Sequence, residues 1–349
     1  MTIPDLPPAT LRLRIDAQAL AANWRALDTM SGSASTGAAV KADGYGVGAE
    51  QVVPVLRDAG ARHFFVAHWS EVPAVLRHVP ASQVSVLHGV ISDREAAFAR
   101  ATGVTPVINS VEQAAIWNAA GGGACHLMVD SGINRLGIRP SELGEGAIER
   151  LQVDILMSHL ASADEDTAQN RDQLEVFRTV TLHKSARAYS LANSAGIALG
   201  PDYAFDLTRP GLSLYGGIAR PELAGRISQV VYPEAAVLQA HDLQAGDKVG
   251  YNAIYTASAP IRTATISLGY ADGFLRCRGP GAALQHEGRE LPILGRVSMD
   301  MVVIDCTGSP ELKNGDFVQV PFDIHALSMT SKMSQYELLT SLGKRFSRN

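Results

Sequence analysis

Residues 104–130, VTPVINSVEQAAIWNAAGGGACHLMVD, hold the pattern that decides the fold. A short apolar run, VTPVI at 104–108, breaks at Asn109 and Ser110. The next segment, SVEQAAIWNAAG, spaces its apolar residues as an amphipathic helix does, and CHLMVD at 125–130 is strand-like again. The same alternation extends both ways. Short apolar strands are expected at about 37–41 (GAAVK), 63–67 (HFFVA), 84–88 (VSVLH), 153–158 (VDILMS), 187–191 (RAYSL) and 205–208 (FDLT). Between them lie helical stretches such as EQVVPVLRDAG, SEVPAVLRHV and TAQNRDQLEVFRTVTLHK. Eight strands joined by mostly helical crossovers predict an α/β protein with an N-terminal (β/α)8 barrel over residues 1–226, its last crossover short.

From about residue 227 the texture changes. VVYPEAAVLQAHDLQAGDKVGY, PIRTATISLGYADGF, RELPILGRVSMDMVVIDCTG and GDFVQV are strand-like runs broken by Gly, Asp and Pro. They predict a mostly-β domain over 227–349. The composition narrows the function classes. A chain of 349 residues, 46% hydrophobic and 19% charged with net charge -5, has no basic excess that would suit nucleic acid or an anionic membrane surface. Cys125, Cys277 and Cys306 are too scattered for a disulfide framework or a zinc site, and no metal is expected. MTIPDLPPATLRLRID lacks the apolar core of a leader, and no uninterrupted apolar run approaches a membrane span, so a cytoplasmic enzyme is expected.

Barrel enzymes build their sites at the C-terminal ends of the strands. Lys41 ends the first strand, followed by the Gly-rich ADGYGVG. Asn134 and Arg135 follow the fifth, His159 the sixth, Asn193 and Ser194 the seventh, and Arg209, Pro210 and Gly211 the eighth. Singly, each has an ordinary structural reading. A strand-end lysine is usually a solvated charge, a lone histidine usually a hydrogen-bonded core residue, and Arg209 could pair with Asp206. Five strands delivering such residues to one rim point instead to a pocket. A lysine on a buried strand is costly as a cation, which favours the neutral amine that attacks carbonyls. Ser194 at a helix start and the Gly211–Leu212 turn can face an anion such as phosphate. With Arg209 as a permanent cation, the set suits pyridoxal phosphate.

These residues resemble the alanine racemase family, fold type III among pyridoxal-phosphate enzymes, across roughly residues 10–345. AVKADGYGVG resembles the cofactor-lysine signature, which makes Lys41 the Schiff-base lysine and Tyr45 a phosphate ligand. VDSGINRLG is similar to the substrate-arginine motif and places Arg135 near the substrate carboxylate. MSHLA brings His159, which in the family hydrogen-bonds the catalytic tyrosine. SLANSAG and TRPGLSLYG bring Asn193, Ser194, Arg209, Gly211 and Leu212 around the ring and phosphate. VGYNAIY resembles the segment holding that tyrosine, here Tyr251. SLGYADGF and GRVSMDM bring Tyr270, Met299 and Asp300 to the substrate. The lysine and SMDM motifs are the specific ones.

The resemblance implies interconversion of L- and D-alanine, supplying D-alanine for peptidoglycan. Lys41 and Tyr251 would serve opposite faces of Cα, with Tyr251, Tyr270 and Met299 coming from the partner in a homodimer. Three positions depart from the family's pattern. Met128 stands where many members carry a carbamylated lysine beside the substrate arginine, and Ser298 where many have cysteine. A phosphate-binding tyrosine that would follow LGKRFSRN is not reached before Asn349. An amino-acid racemase of broader specificity is the alternative within the family. A barrel decarboxylase is disfavoured by Arg209 and VGYNAIY, and a cofactor-carrier protein by the second domain.

Overall fold

The computed structural model describes residues 7–348, so the expectations touching residues 1–6 and Asn349 lie outside it. The chain divides into two compact units. One runs from Ala17 to Ser228; the other joins the N-terminal residues through Asp16 to everything from Gln229 onward.

The first unit is the barrel. Parallel strands Ala38–Ala39, Phe64–Val66, Val84–Val86, Thr105–Ile108, Ala124–Met128, Gln152–Met157 and Ala188–Ser190 pair in sequence order. The eighth strand, Leu207–Thr208, closes the ring. It pairs in parallel with Ser35–Thr36 on one side. On the other side Asp206 N–H donates to the Tyr189 carbonyl at 3.0 Å and Arg209 N–H to the Ala192 carbonyl at 2.8 Å. Period-two alternation sorts the strand residues. Phe65, Val107, Met128, Ile155, Met157, Ala188 and Leu207 pack together in one cluster. Their strand neighbours Ile108, Leu127, Leu156 and Leu191 pack with helix residues such as Trp117, Leu174 and Phe177 in another. Ser92 and Ser110 cap the helices Asp93–Thr102 and Val111–Ala119 by accepting from the N–H groups of Glu95 and Gln113. The seventh crossover is the five-residue helix Ser194–Ala198, short as expected.

The second unit is built on the 13-residue strand Val231–Leu243. Its first half pairs with Phe317–Gln319 and its second half with Ile261–Ile266, and the register shifts between Val237 and Gln239. That shift bends the strand so that it can serve both neighbours. The pairing closes a ring through Val302–Asp305, Arg289–Leu294 and Ala283–His286 back to Phe317–Gln319.

One boundary differs from the sequence expectation. The sequence pattern places residues 1–226 in the barrel domain, yet Leu11–Ile15 is a strand of the second unit, antiparallel to Val231 through Ala235. Leu11 and Leu13 are buried, while the Arg12 and Arg14 guanidinium groups lie over the rings of Phe317 and Tyr232. Its partner strand is more than two hundred residues away, so nothing local announces the pairing. No helix among the described residues is long and apolar enough to cross a membrane.

Candidate active site

Lys41 begins a turn of unusual backbone. Ala42, Asp43, Gly44 and Tyr45 all have positive φ, between 53° and 61°. A left-handed turn costs about 1–2 kcal/mol for each residue with a Cβ, so it persists only where its surroundings hold it. Here Gly44 N–H reaches the Val40 carbonyl and Gly46 N–H the Ala42 carbonyl, both at 2.8 Å. Asp43 Oδ1 accepts from Ala49 N–H at 2.8 Å. Glu71 accepts from Ala42 N–H with one oxygen, and with the other from the N–H groups of Ala67 and His68. Sequence reasoning missed Glu71. It sits inside an amphipathic stretch, and no local signal marks it as the clamp between two strand ends.

Burial and neighbouring charges both bear on the Lys41 amine. Burial lowers its pKa, the Arg135 charge lowers it further, Glu71 opposes, and Arg209 adds to the lowering. Arg209 is buried and does not pair with Asp206, whose carboxylate accepts from Tyr189 N–H. The Arg209 guanidinium donates to Ser190 Oγ and to the Ser158 carbonyl, both neutral oxygens. Burial brings its pKa down to about 10, so it stays charged at neutral pH. His159 is driven the other way from a charge. Burial first, then Arg209, Arg135 and Lys41, hold its pKa at about 3, leaving a neutral imidazole.

The residues expected around the phosphate form a hydrogen-bonded cluster of their own. Asn193 Oδ1 accepts from Gly196 N–H at 2.9 Å and caps the short helix, so its amide nitrogen is what it can offer a ligand. Ser194 Oγ accepts from Gly211 N–H at 3.0 Å and Ser213 N–H at 3.2 Å, which leaves the hydroxyl hydrogen to donate. The Gly211 N–H is therefore committed within the protein. Gly211 serves by lacking a Cβ, since one would lie 2.1 Å from the Tyr45 hydroxyl. Tyr45 stacks on Tyr215 with ring centroids 4.8 Å apart, and Tyr215 donates to the Ala39 carbonyl at 2.9 Å. Leu212 is buried, so its backbone is what it has to offer.

Arg135 is exposed on a loop organised by Asp130. That carboxylate accepts from Gly132, Ile133, Asn134 and Arg135 N–H groups at 2.8–3.1 Å. Met128 is 6% exposed within the apolar cluster of the barrel strands. Behind the loop, Ser131 Oγ bonds Ser158 Oγ at 2.7 Å, and Gln173 reaches both Ser131 Oγ and the His159 carbonyl. This ties the ends of the fifth and sixth strands together.

The second unit gathers three more of the expected residues. Tyr270 N–H donates to the Ser298 carbonyl and Ala271 N–H to the Met299 carbonyl, each at 3.0 Å, so the Tyr270 and SMDM segments form one corner. Asp300 is ion-paired to Arg345 at 2.7 Å, and Arg345 also grips the buried Asp272. Tyr251 lies on a separate hairpin, between Lys248–Val249 and Tyr255–Thr256. It is 70% exposed, and Ile254, Met299 and Met301 are exposed as well.

A strand-end lysine with a lowered pKa, a cluster of hydroxyls that can face an anion and a buried arginine without a carboxylate fit a phosphate-bearing aldehyde. The class is that of lysine-dependent barrel enzymes with such a cofactor. Comparison gives the particular family. Residues 15–219 match the alanine racemase N-terminal domain and residues 230–349 its C-terminal domain. Alanine racemase of Cereibacter sphaeroides is 42% identical over 97% of this chain and 98% of its own. That of Rhizobium meliloti is 38% identical over 100% of this chain and 98% of its own. The structure of alanine racemase from Bartonella henselae with covalently bound pyridoxal phosphate matches with a TM-score of 0.89 at 33% identity, covering 98% of this chain and 99% of that one. The chain belongs to the alanine racemase family.

Proposed function

We propose that Lys41 and Tyr251 are the two acid–base groups of an alanine racemase, serving opposite faces of Cα, with Tyr251 supplied by a second copy of the chain. The activity is interconversion of L- and D-alanine with pyridoxal 5'-phosphate, as the family sets it. When bound, that cofactor supplies an aldehyde for Lys41 and a conjugated ring that takes up negative charge as Cα loses its proton.

The chain's own groups do the rest. Ser194 and Tyr45 would hold the cofactor's phosphate beside Gly211, which leaves room for Tyr45, with Asn193 and Leu212 nearby. Arg209, remaining charged, would be the partner of the cofactor's ring nitrogen and would disfavour a proton there, limiting side reactions. Arg135 binds the substrate carboxylate and orients the bond to be broken. The lowered pKa of Lys41 favours the neutral amine, the form that takes a proton. Neutral His159 has one donor and one acceptor nitrogen, so it can connect the Arg209 charge to the Tyr251 phenol. Tyr270, Met299 and Asp300 border the substrate and favour a small side chain.

The observation that carries this reading is the placement of Lys41, its pKa lowered by burial and two arginines, on the rim that also holds the Ser194–Gly211 cluster. The exposed Tyr251, Ile254, Met299 and Met301 support a homodimer in which the partner uses that surface. A cytoplasmic setting, with D-alanine passing to peptidoglycan, completes the proposal. Chiral chromatography of each enantiomer of alanine and serine, incubated with the cofactor-loaded protein, tests the activity. Alanine from either side should reach the same equimolar mixture, faster than serine; serine proceeding equally fast would favour a broad-specificity racemase. Mixing inactive Lys41→Ala and Tyr251→Phe dimers should regenerate activity. No recovery after proven subunit exchange would refute the shared site.

A further inference from the structure

Glu71 divides its carboxylate between two strand ends. It closes the short turn Trp69–Glu71 that follows the second strand, Phe64–Val66, and is half-buried there. Its own N–H donates to the His68 carbonyl at 3.1 Å. One carboxylate oxygen accepts from Ala67 N–H at 2.7 Å and from His68 N–H at 2.9 Å. Those bonds are local and amount to ordinary capping of a turn. The other oxygen is used differently. It accepts from Ala42 N–H, 29 residues earlier, in the peptide that joins Lys41 to Ala42.

That peptide helps to decide where the Lys41 side chain leaves the backbone. Peptide units are planar, so the Lys41 Cα hangs between two rigid plates, and holding both plates fixes the direction of its Cα–Cβ bond. The plate before Lys41 is held by the Val40 carbonyl, which accepts from Gly44 N–H at 2.8 Å. That bond lies inside the left-handed turn. The plate after Lys41 is held by Glu71, which is anchored outside the turn, at the end of the second strand. Ala42 has a φ of 54°, a conformation that a residue with a Cβ leaves unless it is held. We propose that Glu71 is a positioning residue for the reaction, a carboxylate strut between the first two strand ends that aims the Lys41 amine at the reacting carbon. This rests on the reading of Lys41 as an acid–base group, and it gives Glu71 no proton to carry.

Glutamine cannot replace the strut. Its amide has one acceptor oxygen and one NH₂ group, so either Ala42 N–H or the Ala67 and His68 N–H groups would face a donor. The test compares cofactor-loaded wild-type and Glu71→Gln protein in deuterated water, with D- and L-alanine as separate substrates and mass spectrometry of exchange at Cα. A misplacement of about 1 Å can cost about a hundredfold in rate. The kcat of Glu71→Gln should therefore fall by about ten- to a hundredfold, with KM nearly unchanged, since Arg135 and not Lys41 takes the carboxylate. The loss should fall on exchange of one enantiomer, the one that Tyr251→Phe still exchanges, and spare the other. Loss shared equally by both enantiomers would mean a general structural role and overturn the proposal, as would no loss. Tyr251→Phe protein that exchanges both enantiomers alike would instead overturn the two-base reading, and the proposal with it. A second measurement is independent of activity. In the apo-protein, hydrogen exchange at the Ala42 amide, followed by NMR, should quicken in Glu71→Gln while Phe65, inside the second strand, stays protected. An Ala42 amide protected equally in both proteins would overturn the strut.

Discussion

Replacing Gly211 with alanine should weaken cofactor binding without touching any group that reacts. The new Cβ would lie 2.1 Å from the Tyr45 hydroxyl oxygen and 2.7 Å from Cζ. Ordinary contact distances are about 3.5 Å, so the tyrosine must retreat by more than about 1 Å. It has little room to do so. One face of its ring is stacked on Tyr215 at 4.8 Å and 24°, and Tyr215 is itself held by the Ala39 carbonyl. A hydrogen bond cannot follow a shift of that size. Losing one bond to an ionised group is worth about 1.5–3 kcal/mol, or about ten- to a hundredfold in affinity. The assay is a fluorescence titration of apo-protein with pyridoxal phosphate for Gly211→Ala, Tyr45→Phe and the pair, with urea melts as a check on folding. Because both changes act through the same hydroxyl, the double variant should lose little more than either single one. Unchanged affinity in Gly211→Ala, or losses that add in full, would refute the assignment of this glycine as space for Tyr45.

Tyr251→Phe should slow both directions of racemisation together, since the equilibrium constant for alanine is fixed, while solvent deuterium still enters one enantiomer much faster than racemisation proceeds; equal exchange of both enantiomers would refute the two-base assignment. Met128→Lys should cost several kcal/mol in urea melts, because it places an ammonium among Phe65, Val107, Ile155 and Met157; unchanged stability would show that the lysine finds a partner or a modification there. His126 and His159 are both held at about 3 in the folded protein, chiefly by burial. Unfolded histidines titrate near about 6.5, so below that pH the unfolded chain binds more protons. The associated stability is present above about 6.5 and is lost as pH falls toward 3, by up to about 1.4 kcal/mol per pH unit for each group. His126→Gln should remove about half of that slope between about pH 6.5 and 5, and an unaltered slope would count against a neutral buried His126.

The amino-acid sequence by itself determined the order and kind of the elements in the barrel. Short apolar runs separated by residues at helical spacing are local signals, and local signals survive in one dimension. It also carried the candidate residues to their strand ends, because a barrel puts every strand terminus on a known rim. Tertiary structure alone decided what depends on distant neighbours. Leu11–Ile15 alternates like any exposed strand, and only its pairing with Val231–Leu243 removes it from the barrel unit. Glu71 looks like one more charge on an amphipathic helix until two strand ends converge on its carboxylate. Gly211 reads as a donor to phosphate, yet its N–H belongs to Ser194 and its missing Cβ makes way for Tyr45. The groups that shift Lys41 and His159, and the burial that lowers the Arg209 pKa, were likewise beyond the sequence, since other strands bring them within range.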